Sequence, residues 1–366
     1  MRAIVLVSDD LMTDRRVERT CLTLQKCGYD VLLVGRRKSN SLPLSGIPYR
    51  THRLKLLFNS QIWFYAELNI RLFFFVLFRK VDVIFANDLD TLPAGWLAAT
   101  IRRKRLIYDS HEYFTEVPEL QYNMFAKKVW LTLEKMLLPH VTSALTVNDS
   151  IADLYRKNFG IEMAVVRNMP VSRKLQPSKI KPLHYDNKKI ILYQGALNIG
   201  RGLEQSIDAM HFIDNSVLVI IGSGDIEDQL KKRVLDQGLS EKVKFLGKIP
   251  IDELDGYTSQ GDVGLCLMEN ISINYYFSLP NRIFDYLQAG IPVLASDLPE
   301  IARIVEAYKT GVLLEECEPQ AIAEALTKML TQDKVVLKAH LQTVAAELCW
   351  ENEERKLIAI IEQQHS

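Results

Sequence analysis

The strongest constraint on this chain is an alternation of short apolar runs with longer segments of helical periodicity, and the alternation occurs twice. The runs are rich in valine, isoleucine and leucine, which favours strands buried on both faces. Parallel strands need long crossover connections, which are usually helices. The pattern therefore predicts the α/β class, with two doubly wound, Rossmann-like domains that face each other across a cleft.

Five strands and five helices are expected in each half of the chain. In the first half, strands are expected at 3–7, 31–34, 83–86, 105–109 and 144–147, and helices at 14–26, 62–78, 92–102, 126–138 and 150–158. In the second half, strands are expected at 190–193, 217–221, 243–246, 263–267 and 292–295, and helices at 203–212, 225–237, 251–260, 282–288 and 319–330. A last helix is expected at 351–362, and Gly28 is expected to end the first helix in a left-handed conformation.

The two halves are separated by a segment of different character. Pro170, Pro177 and Pro182 lie there among lysines and serines, with little apolar periodicity. We therefore expect a first domain at 1–170, a linker at 171–186 and a second domain at 187–349. The helical segment at 350–366 follows the second domain.

Cysteine usage and hydropathy restrict the location of the protein. The five cysteines are scattered, without a Cys-x-x-Cys pair or a Cys/His cluster, so neither a disulfide framework nor a zinc site is expected. Unpaired thiols are typical of a reducing compartment. The first apolar run is short and is followed directly by acids, and no charge-free apolar run reaches the ~18 residues of a spanning helix. We expect a cytoplasmic protein that does not cross a membrane.

The two halves of the chain, counted on either side of the end of the linker, have net charges of opposite sign. Residues 1–186 contain 28 Lys and Arg against 18 Asp and Glu, whereas residues 187–366 contain 17 against 27. The first half is thus net +10 and the second net −10. This asymmetry either arose by chance or indicates that the first half meets an anionic partner, such as a membrane surface or a phosphorylated acceptor.

In the second half, glycines follow two of the predicted strands. Gly195 and Gly202 flank a loop that contains Arg201, and Gly222 and Gly224 follow the next strand. Glycines allow the backbone to approach a ligand closely, and a helix start beside an arginine favours an anion. The loops match neither a P-loop nor a complete dinucleotide fingerprint, so simple turns are the alternative.

The sequence of a third segment, at 279–293, predicts a loop, a helix that ends at a glycine, and a strand. Asn281 is a suitable N-cap, and Arg282 lies in the first helical turn, where a cation opposes the helix dipole. That cost is understandable if Arg282 points at an anion. Asp285 lies on the same helical face, where it can accept hydrogen bonds from a sugar diol. The alternative is an exposed ion pair between the two side chains.

In the first half, chemistry-bearing residues also follow strands. His111 and Glu112 come after the strand at 105–109, and ligands of parallel sheets bind at such strand ends. Glu112 either orients His111 or contacts an acceptor hydroxyl. Asp88 and Asp90 follow another strand and are interpreted as structural or acceptor-facing residues.

The order of these segments resembles glycosyltransferase family 4, whose members have the GT-B fold, and the resemblance covers nearly the whole chain. In the first half it is carried by Asp14-Arg15-Arg16-Val17, Ala86-Asn87-Asp88-Leu89-Asp90 and Asp109-Ser110-His111-Glu112. In the second half it is carried by Tyr193-Gln194-Gly195-Ala196-Leu197, Arg201-Gly202-Leu203, Ile220-Ile221-Gly222-Ser223-Gly224, Val243-Lys244-Phe245-Leu246-Gly247 and 280–292, of the branch with Pro-Asn-Lys/Arg before the second acid.

The resemblance implies a retaining transfer from a UDP- or GDP-linked sugar, without a metal or other cofactor. The second domain would bind the donor, the first domain would bind the acceptor, and the last helix would return to the first domain. Arg201 and Arg282 would neutralise the diphosphate and His111 would lie near the reacting sugar, as catalytic residues. The implied donor contacts are Gly195, Gly202, Gly222, Gly224, Asn281, Asp285 at the ribose and Ile249 at the nucleobase, and the acceptor side is assigned to Arg15, Asp88 and Glu112.

Three positions depart from the family pattern, and one of them is Asp285, an aspartate where the second acid of the motif is usually a glutamate. Phe277 stands where the first glutamate of a paired-acid motif is expected, and Ala196 stands where an arginine is usual. Arg282 is therefore expected to supply the missing positive charge. The departures affect the contacts to the hydroxyls of the donor sugar.

The sequence thus predicts a glycosyltransferase that acts on a glycan or lipid-linked acceptor, in surface polysaccharide synthesis. The alternatives are a sugar-nucleotide epimerase of the same architecture and a non-catalytic nucleotide-sugar-binding module. A NAD-dependent dehydrogenase is disfavoured, since the first strand ends in Ser8-Asp9-Asp10 without a glycine fingerprint. Part of the aromatic and basic segment between 53 and 80 is expected in the core; the rest fits a membrane interface better than a nucleic acid, and no nucleic-acid partner is expected.

Overall fold

The computed structural model describes residues 1–12, 14–39, 41, 43–121, 123–172, 182–185 and 187–363. The chain divides into two compact units, which are described separately. Unit 1 comprises Met1–Asn168 and Glu353–Ser366, and unit 2 comprises Met169–Asn352. Of the expected linker at 171–186, residues 173–181 and 186 lie outside the described residues.

Unit 1 is built on a parallel sheet of seven strands in the order β3-β2-β1-β4-β5-β6-β7. Its strands are β1 Arg2–Leu6, β2 Asp30–Arg36, β3 Arg50–Leu54, β4 Val83–Asn87, β5 Arg105–Ser110, β6 Ala144–Thr146 and β7 Ala164–Val165. Its helices are α1 Arg15–Lys26, α2 Gln61–Leu77, α3 Leu92–Arg102, α4 Pro118–Gln121, α5 Met124–Leu137 and α6 Asp149–Phe159, with 3₁₀ turns at Phe114–Glu116 and Leu138–His140.

Unit 2 is built on a parallel sheet of six strands in the order β10-β9-β8-β11-β12-β13. Its strands are β8 Lys189–Gln194, β9 Ser216–Ile221, β10 Val243–Gly247, β11 Val263–Cys266, β12 Val293–Ser296 and β13 Gly311–Leu314. Its helices are α7 Leu203–Ala209, α8 Glu227–Asp236, α9 Ile251–Thr258, α10 Ile273–Tyr276, α11 Arg282–Ala289, α12 Pro299–Tyr308, α13 Pro319–Leu330 and α14 Lys334–Glu347, and the last helix, α15 Trp350–Glu362, begins here.

The sheet of unit 2 has an apolar core on each face, which explains why the sequence shows continuous apolar runs. In unit 2, Ile190 and Leu192 of β8 enter one core, while Ile191 and Tyr193 enter the core on the opposite face of the sheet. Successive side chains of a strand point to opposite faces, so a sheet covered on both faces needs apolar residues at every position. The predicted α/β class with two doubly wound units is confirmed.

Helix ends follow the local sequence at α1. The Asp14 side chain accepts hydrogen bonds from the backbone of Arg16 and Val17, which are otherwise unpaired at a helix start. At the other end, Gly28 has a φ of 82°, and its N–H donates to the carbonyl of Gln25. This is the glycine-terminated helix end that was expected from the sequence.

Several elements differ from the sequence-based expectation. Strands β3, β7 and β13 and helices α4, α10, α12 and α14 were not expected. β3 lies at a sheet edge and reads Arg-Thr-His-Arg-Leu, without the apolar run of a central strand. The expected N-cap Asn281 precedes α11, but its side chain makes no capping hydrogen bond because its own backbone is already helical.

The last helix contributes to unit 1 from Glu353 onward. Glu354 accepts hydrogen bonds from the Thr23 hydroxyl at 2.7 Å and from Lys26 at 2.8 Å. Arg105 donates to the carbonyl of Ile361 at 2.6 Å, near the end of the helix. These polar contacts hold both ends of the segment against unit 1.

Candidate functional site

Two glycine loops lie at the carboxyl ends of β8 and β9 in unit 2. They bond to each other, since the Leu197 N–H donates to the carbonyl of Ser223 at 3.1 Å. A Cβ atom at Gly222 would overlap the carbonyl of Gly195, and one at Gly224 would overlap the backbone of Leu197. The glycines at 222 and 224 are therefore needed for close packing of the two loops, whatever their contact with a ligand.

The loop after β8 ends at Gly202, which has a φ of 64° and packs against Leu267. This conformation turns the chain into α7 and leaves Arg201 half-buried directly before the helix. The helix covers only 203–209 of the expected 203–212. The glycine is thus required by the backbone, and the arginine beside it is the residue that can carry chemistry.

Arg201 and Arg282 converge on one sulfur atom. Arg201 Nη1 lies 3.5 Å from the Met268 sulfur, and Arg282 Nη2 lies 3.2 Å from the same atom. The two nitrogens are therefore less than about 7 Å apart. The sequence predicted each arginine separately, but it gave no signal for Met268 between them.

Neutral groups supply the remaining contacts of this arginine pair. Arg201 lies over the ring of Tyr275 at 4.9 Å, and Arg282 lies over the ring of Tyr193 at 4.6 Å. Arg282 is only 6% exposed, and its Nη1 donates to the carbonyl of Gln194 at 3.4 Å. The Nε atom of each arginine is buried without a hydrogen-bond partner.

Within the described part of the chain, neither arginine forms an ion pair with a carboxylate. Two unit charges about 7 Å apart repel by about 2 kcal/mol at an effective dielectric constant of 20. Arginine cannot lose its proton to relieve this repulsion. An anion bound beside the two arginines would offset this repulsion. A diphosphate is an anion that arginine side chains bind well.

The acidic residue of α11 is held by the end of β8. Asp285 lies in the first turn of the helix and accepts a hydrogen bond from the Gln194 side-chain amide at 3.0 Å. The amide oxygen of Gln194 accepts in turn from the Thr258 hydroxyl at 2.6 Å. Gln194 and Thr258 were not expected to have a site role, although Gln194 directly precedes the glycine that was.

The other expected donor residues lie around this centre in unit 2. Ile249 is half-buried and packs against the core below α9 and α11. Asn281 is exposed directly before Arg282. Phe277 ends the short helix α10, with its ring against Tyr276 at 4.8 Å, so an aromatic side chain occupies the position of the missing glutamate.

In unit 1, His111 lies among three carboxylates. Its Nδ1 is 3.1 Å from Asp14 and 3.5 Å from Asp88, and its Nε2 is 3.6 Å from Asp109. The His111 backbone N–H also donates to Asp88 at 2.8 Å. We refer to Asp14, Asp88 and Asp109 around His111 as the carboxylate cage.

The cage determines the charge of His111. Burial lowers the pKa of the imidazole, but the charges of Asp88, Asp14 and Asp109 together raise the pKa well above its usual range. The carboxylate cage therefore favours the imidazolium form of the ring. Burial alone would raise the pKa of Asp14, yet the charge of His111 lowers it far below the usual value.

Asp109 also connects the cage to α1. It is fully buried, and Arg16 donates to it from Nη2 at 2.6 Å and from Nε at 3.0 Å. Arg16 Nη1 donates to the carbonyl of Val166 at 2.6 Å. Arg16 and Asp14 belong to the motif segments used in the sequence analysis, but only the fold shows that they surround His111.

The remaining acceptor-side candidates differ in their environment. Asp88 has a left-handed φ of 60°, which an aspartate tolerates better than most residues. The Glu112 carbonyl accepts from the Ser110 hydroxyl at 2.7 Å. Arg15 is the first residue of α1 and is half-buried. Burial and the charge of Asp88 raise the pKa of Asp90 to about 7.

Glu134 is a further buried acid of unit 1. Glu134 of α5 is 0% exposed and accepts from the Thr115 hydroxyl at 3.1 Å. Burial raises its pKa to about 7, although the hydroxyls of Thr115 and Tyr155 oppose this effect. No cation pairs with Glu134 in the described part of the chain, so protonation removes its charge near neutral pH.

Family models match both halves of the chain. Residues 13–171 match the family described as glycosyl transferase 4-like domain, and residues 176–343 match glycosyl transferases group 1. The two matches together cover most of the chain, and each falls on one of the Rossmann-like units. The chain belongs to the glycosyltransferases of the GT-B fold.

Curated relatives of this glycosyltransferase act in several glycan pathways. It is 28% identical over 143 residues to the amylovoran biosynthesis glycosyltransferase AmsK of Erwinia amylovora, which covers 38% of this chain and 35% of that protein. It is 29% identical over 164 residues to the phosphatidyl-myo-inositol mannosyltransferase of Mycobacterium leprae, covering 43% and 41%. The chain spans about two fifths or less of the length of these relatives.

Solved structures match the glycosyltransferase over nearly its full length. Sucrose-phosphate synthase from Thermosynechococcus elongatus has a TM-score of 0.80 at 18% identity, covering 99% of this chain and 98% of that one. Anabaena HepE in complex with UDP and glucose has a TM-score of 0.77 at 18% identity, covering 99% of each chain. At this identity, the likeness shows the fold.

The structure also bears on metals, thiols and membranes. All five cysteines are free, as the sequence predicted. Across the described ranges, no group of three or more His, Cys, Asp or Glu side chains is arranged to hold a metal ion. None of the helices described here combines the length and the apolar character that crossing a membrane requires.

Proposed function

We propose that this protein transfers a sugar from a nucleotide-sugar donor onto a glycan or lipid-linked acceptor, in the synthesis of a surface polysaccharide. The observation that carries the proposal is the pair Arg201 and Arg282, which lies at a strand end of unit 2 without a carboxylate partner among the described residues. Unit 2 is net negative by sequence, so this local pair must overcome the wider field to hold a diphosphate.

The donor is proposed to be UDP- or GDP-linked. Arg201 and Arg282 would hold the diphosphate, Asp285 would accept from the ribose hydroxyls, and the backbone at Ile249 would meet the nucleobase. Gly195, Gly202, Gly222, Gly224 and Asn281 would shape the pocket. Support comes from HepE, which was solved with UDP, and from a relative described as a GDP-mannose-dependent mannosyltransferase.

The transfer is proposed to be that of a retaining hexosyltransferase of family 4 that needs no metal. Positive charge at the leaving diphosphate would come from the arginine pair, whose interaction strengthens as charge accumulates on the phosphate in the transition state. His111 would lie near the reacting sugar as an imidazolium, with Arg15, Asp88 and Glu112 on the acceptor side. Because its raised pKa favours the protonated form, which cannot act as a general base, we assign His111 an electrostatic role.

Donor turnover tests the proposal directly. The purified protein is incubated with UDP-glucose, UDP-galactose and GDP-mannose, with and without polyprenyl-diphosphate-linked saccharides or phosphatidylinositol. We expect release of nucleoside diphosphate and a glycosylated product only when acceptor is present. An epimerised donor without acceptor would identify an epimerase, and binding without turnover would identify a binding module; either result contradicts the proposal.

We also propose that the protein is cytoplasmic and binds the inner face of an anionic membrane through α2. The outer side of α2 carries an apolar stripe at every fourth residue, namely Ile62, Ala66, Ile70, Phe74 and Phe78. Phe78 is 79% exposed, and the neighbouring Trp63 is 64% exposed. The opposite side of α2 is buried, so the helix has apolar side chains on two sides, which is typical of helices with a further apolar partner.

Positive charges border this stripe. Arg79 stacks over Phe75 at 4.0 Å, and Lys55, Arg71 and Lys80 lie near the two ends of the helix or on it. Aromatic side chains flanked by lysine and arginine suit the interface of an anionic bilayer. A lipid-linked acceptor would place the substrate of this enzyme in the same membrane.

Vesicle flotation tests the membrane proposal. We expect binding to vesicles that contain anionic lipids, weaker binding at high salt and at least a fivefold loss in the double variant Phe74→Ser, Phe78→Ser. The matched control is Leu235→Ser in unit 2, which is 69% exposed and lies outside the stripe. Equal binding to neutral vesicles, or no effect of the double variant, would contradict the proposal.

A further inference from the structure

One buried residue, Gln194, contacts each of the functional residues of α11. It is the last residue of β8 and is 3% exposed. Its side-chain nitrogen donates to Asp285 at 3.0 Å, and its backbone carbonyl accepts from Arg282 at 3.4 Å. Its backbone N–H donates to the Tyr286 hydroxyl at 3.1 Å. Three residues on the first two turns of α11 are thus tied to one position of the sheet.

The chemistry of the contacts fixes the orientation of the Gln194 amide. A carboxylate accepts hydrogen bonds and cannot donate them, so only the NH₂ group of the amide can face Asp285. The amide oxygen then faces the Thr258 hydroxyl, 2.6 Å away on α9. When Thr258 donates its single proton to this oxygen and not to the Leu254 carbonyl 2.8 Å away, it holds the amide in the orientation that Asp285 requires.

Asp285 is also one methylene shorter than the glutamate that the family pattern leads one to expect. A carboxylate on a shorter side chain has fewer positions available, and Gln194 holds one of its oxygens. The hydrogen bond is charge-assisted and lies in a partly buried setting, which makes it stronger than a neutral one. Gln194 can therefore fix where the carboxylate lies.

We infer that Gln194 is a positioning residue for the donor, which fixes Asp285 for the ribose hydroxyls and Arg282 for the diphosphate, and that Thr258 supports it. The inference rests on the proposed function of this site. Gln194 itself contacts three side chains of α11, and its effect on the donor passes through two of them, Asp285 and Arg282.

The ratio of affinities for ribose and deoxyribose nucleotides tests this role. UDP, GDP and their 2′-deoxy and 3′-deoxy counterparts are titrated against the wild-type protein by calorimetry. We expect the better of the two ribonucleotides to bind at least tenfold more tightly than one of its deoxy counterparts. In Gln194→Leu, this ratio should fall to about one to two, because Asp285 is no longer fixed at the diol.

Two further variants separate positioning from folding. Thr258→Val should lower the ratio in the same direction but less, and it serves in place of Gln194→Leu if that variant does not fold. Gln288→Leu is the matched control, since Gln288 lies on the same helix and its amide donates to the carbonyl of Ala345 at 3.1 Å. The control should keep the wild-type ratio.

The outcomes distinguish this inference from the proposed function. If the wild type binds neither UDP nor GDP, the donor site and the proposed function both fail. If it binds but does not distinguish ribose from deoxyribose, or if Gln194→Leu and Thr258→Val keep the wild-type ratio, only the positioning role is overturned.

Discussion

The positively charged side chains at the strand ends have opposite environments in the two units. In unit 1, His111 is surrounded by Asp14, Asp88 and Asp109 within 3.6 Å. In unit 2, Arg201 and Arg282 share one sulfur atom and meet no carboxylate within the described residues. The imidazolium of unit 1 is thus neutralised by its own chain, whereas the charge of the arginine pair in unit 2 is proposed to be neutralised by a bound anion.

A buried acid of unit 1 shows why this difference matters. Glu134 also lacks a charged partner in the described ranges, but a carboxylate can take up a proton when it is buried, and its pKa is raised to about 7. An arginine has no such alternative, since it keeps its proton throughout the accessible pH range. An unpaired arginine pair is therefore stronger support for an anion site than an unpaired acid is for a cation site.

The largest expected effect comes from removing the arginines. Arg201→Ala and Arg282→Ala should each cost about 2–4 kcal/mol of transition-state stabilisation, comparable to the loss of one oxyanion-hole donor. Inorganic pyrophosphate should raise the melting temperature of the wild type, and each variant should lose most of that rise. Steady-state kinetics and thermal unfolding with pyrophosphate are the two measurements.

Arg233→Ala is the matched control for the arginine pair. Arg233 lies in the same unit but is already paired with Asp208 at 2.5 Å, so its removal should leave the pyrophosphate effect unchanged. A wild-type protein that pyrophosphate does not stabilise would show that the two units do not differ in the way described.

The next largest expected effect is a change in how the unfolding free energy of the protein depends on pH. The folded-state pKa of Glu134 lies above its unfolded value of about 4.3, so the folded state binds the proton more tightly. Stability should therefore fall as pH rises from about 4 to about 7, by on the order of 3 kcal/mol from this group. Glu134→Gln should remove this part of the dependence of the unfolding free energy on pH. Urea unfolding at several pH values measures this slope.

Glu116→Gln provides the comparison for Glu134. Glu116 is an acid of the same region that is paired with Lys127 at 2.7 Å, so its substitution should not flatten the slope. An unchanged slope in Glu134→Gln would mean that the buried acid is neutralised by some other means than protonation.

The smallest effect tests the carboxylate cage. Asp14→Asn keeps an acceptor for the start of α1 but removes one negative charge from His111. We expect a loss of about 1 kcal/mol at neutral pH, because Asp14 is partly exposed and its charge is screened. The raised pKa of His111 contributes stability that is fully present at low pH and is lost as pH rises through the folded-state pKa.

In Asp14→Asn, this loss should begin at a lower pH than in the wild type, since the folded-state pKa of His111 is lowered. The imidazole signal of His111 in an NMR titration reports the change directly. Asp333→Asn, which alters the N-cap of α14 in unit 2, should leave that signal as it is. A His111 signal that titrates in the wild type as in a free histidine would contradict the cage.

Much of the fold was determined by the sequence alone. The apolar runs that became β1, β4, β8 and β9 are continuous because both faces of each sheet are covered, and this pattern is visible without coordinates. Gly28 and the start of α1 were also readable, because capping depends on neighbouring residues. The edge strand β3 was not, since its polar side chains carry no periodic signal.

The sequence also identified the types of residue at the strand ends, including His111, Arg201, Arg282 and Asp285. Only the tertiary structure decided their charge environments. Asp14, Asp88 and Asp109 lie on three different segments, and the parallel sheet brings them to one imidazole. Met268 likewise contacts the arginines, Gln194 contacts Asp285, and Thr258 contacts Gln194, each from a separate segment of unit 2. Electrostatic interactions depend on distance in space, which separation along the chain does not determine.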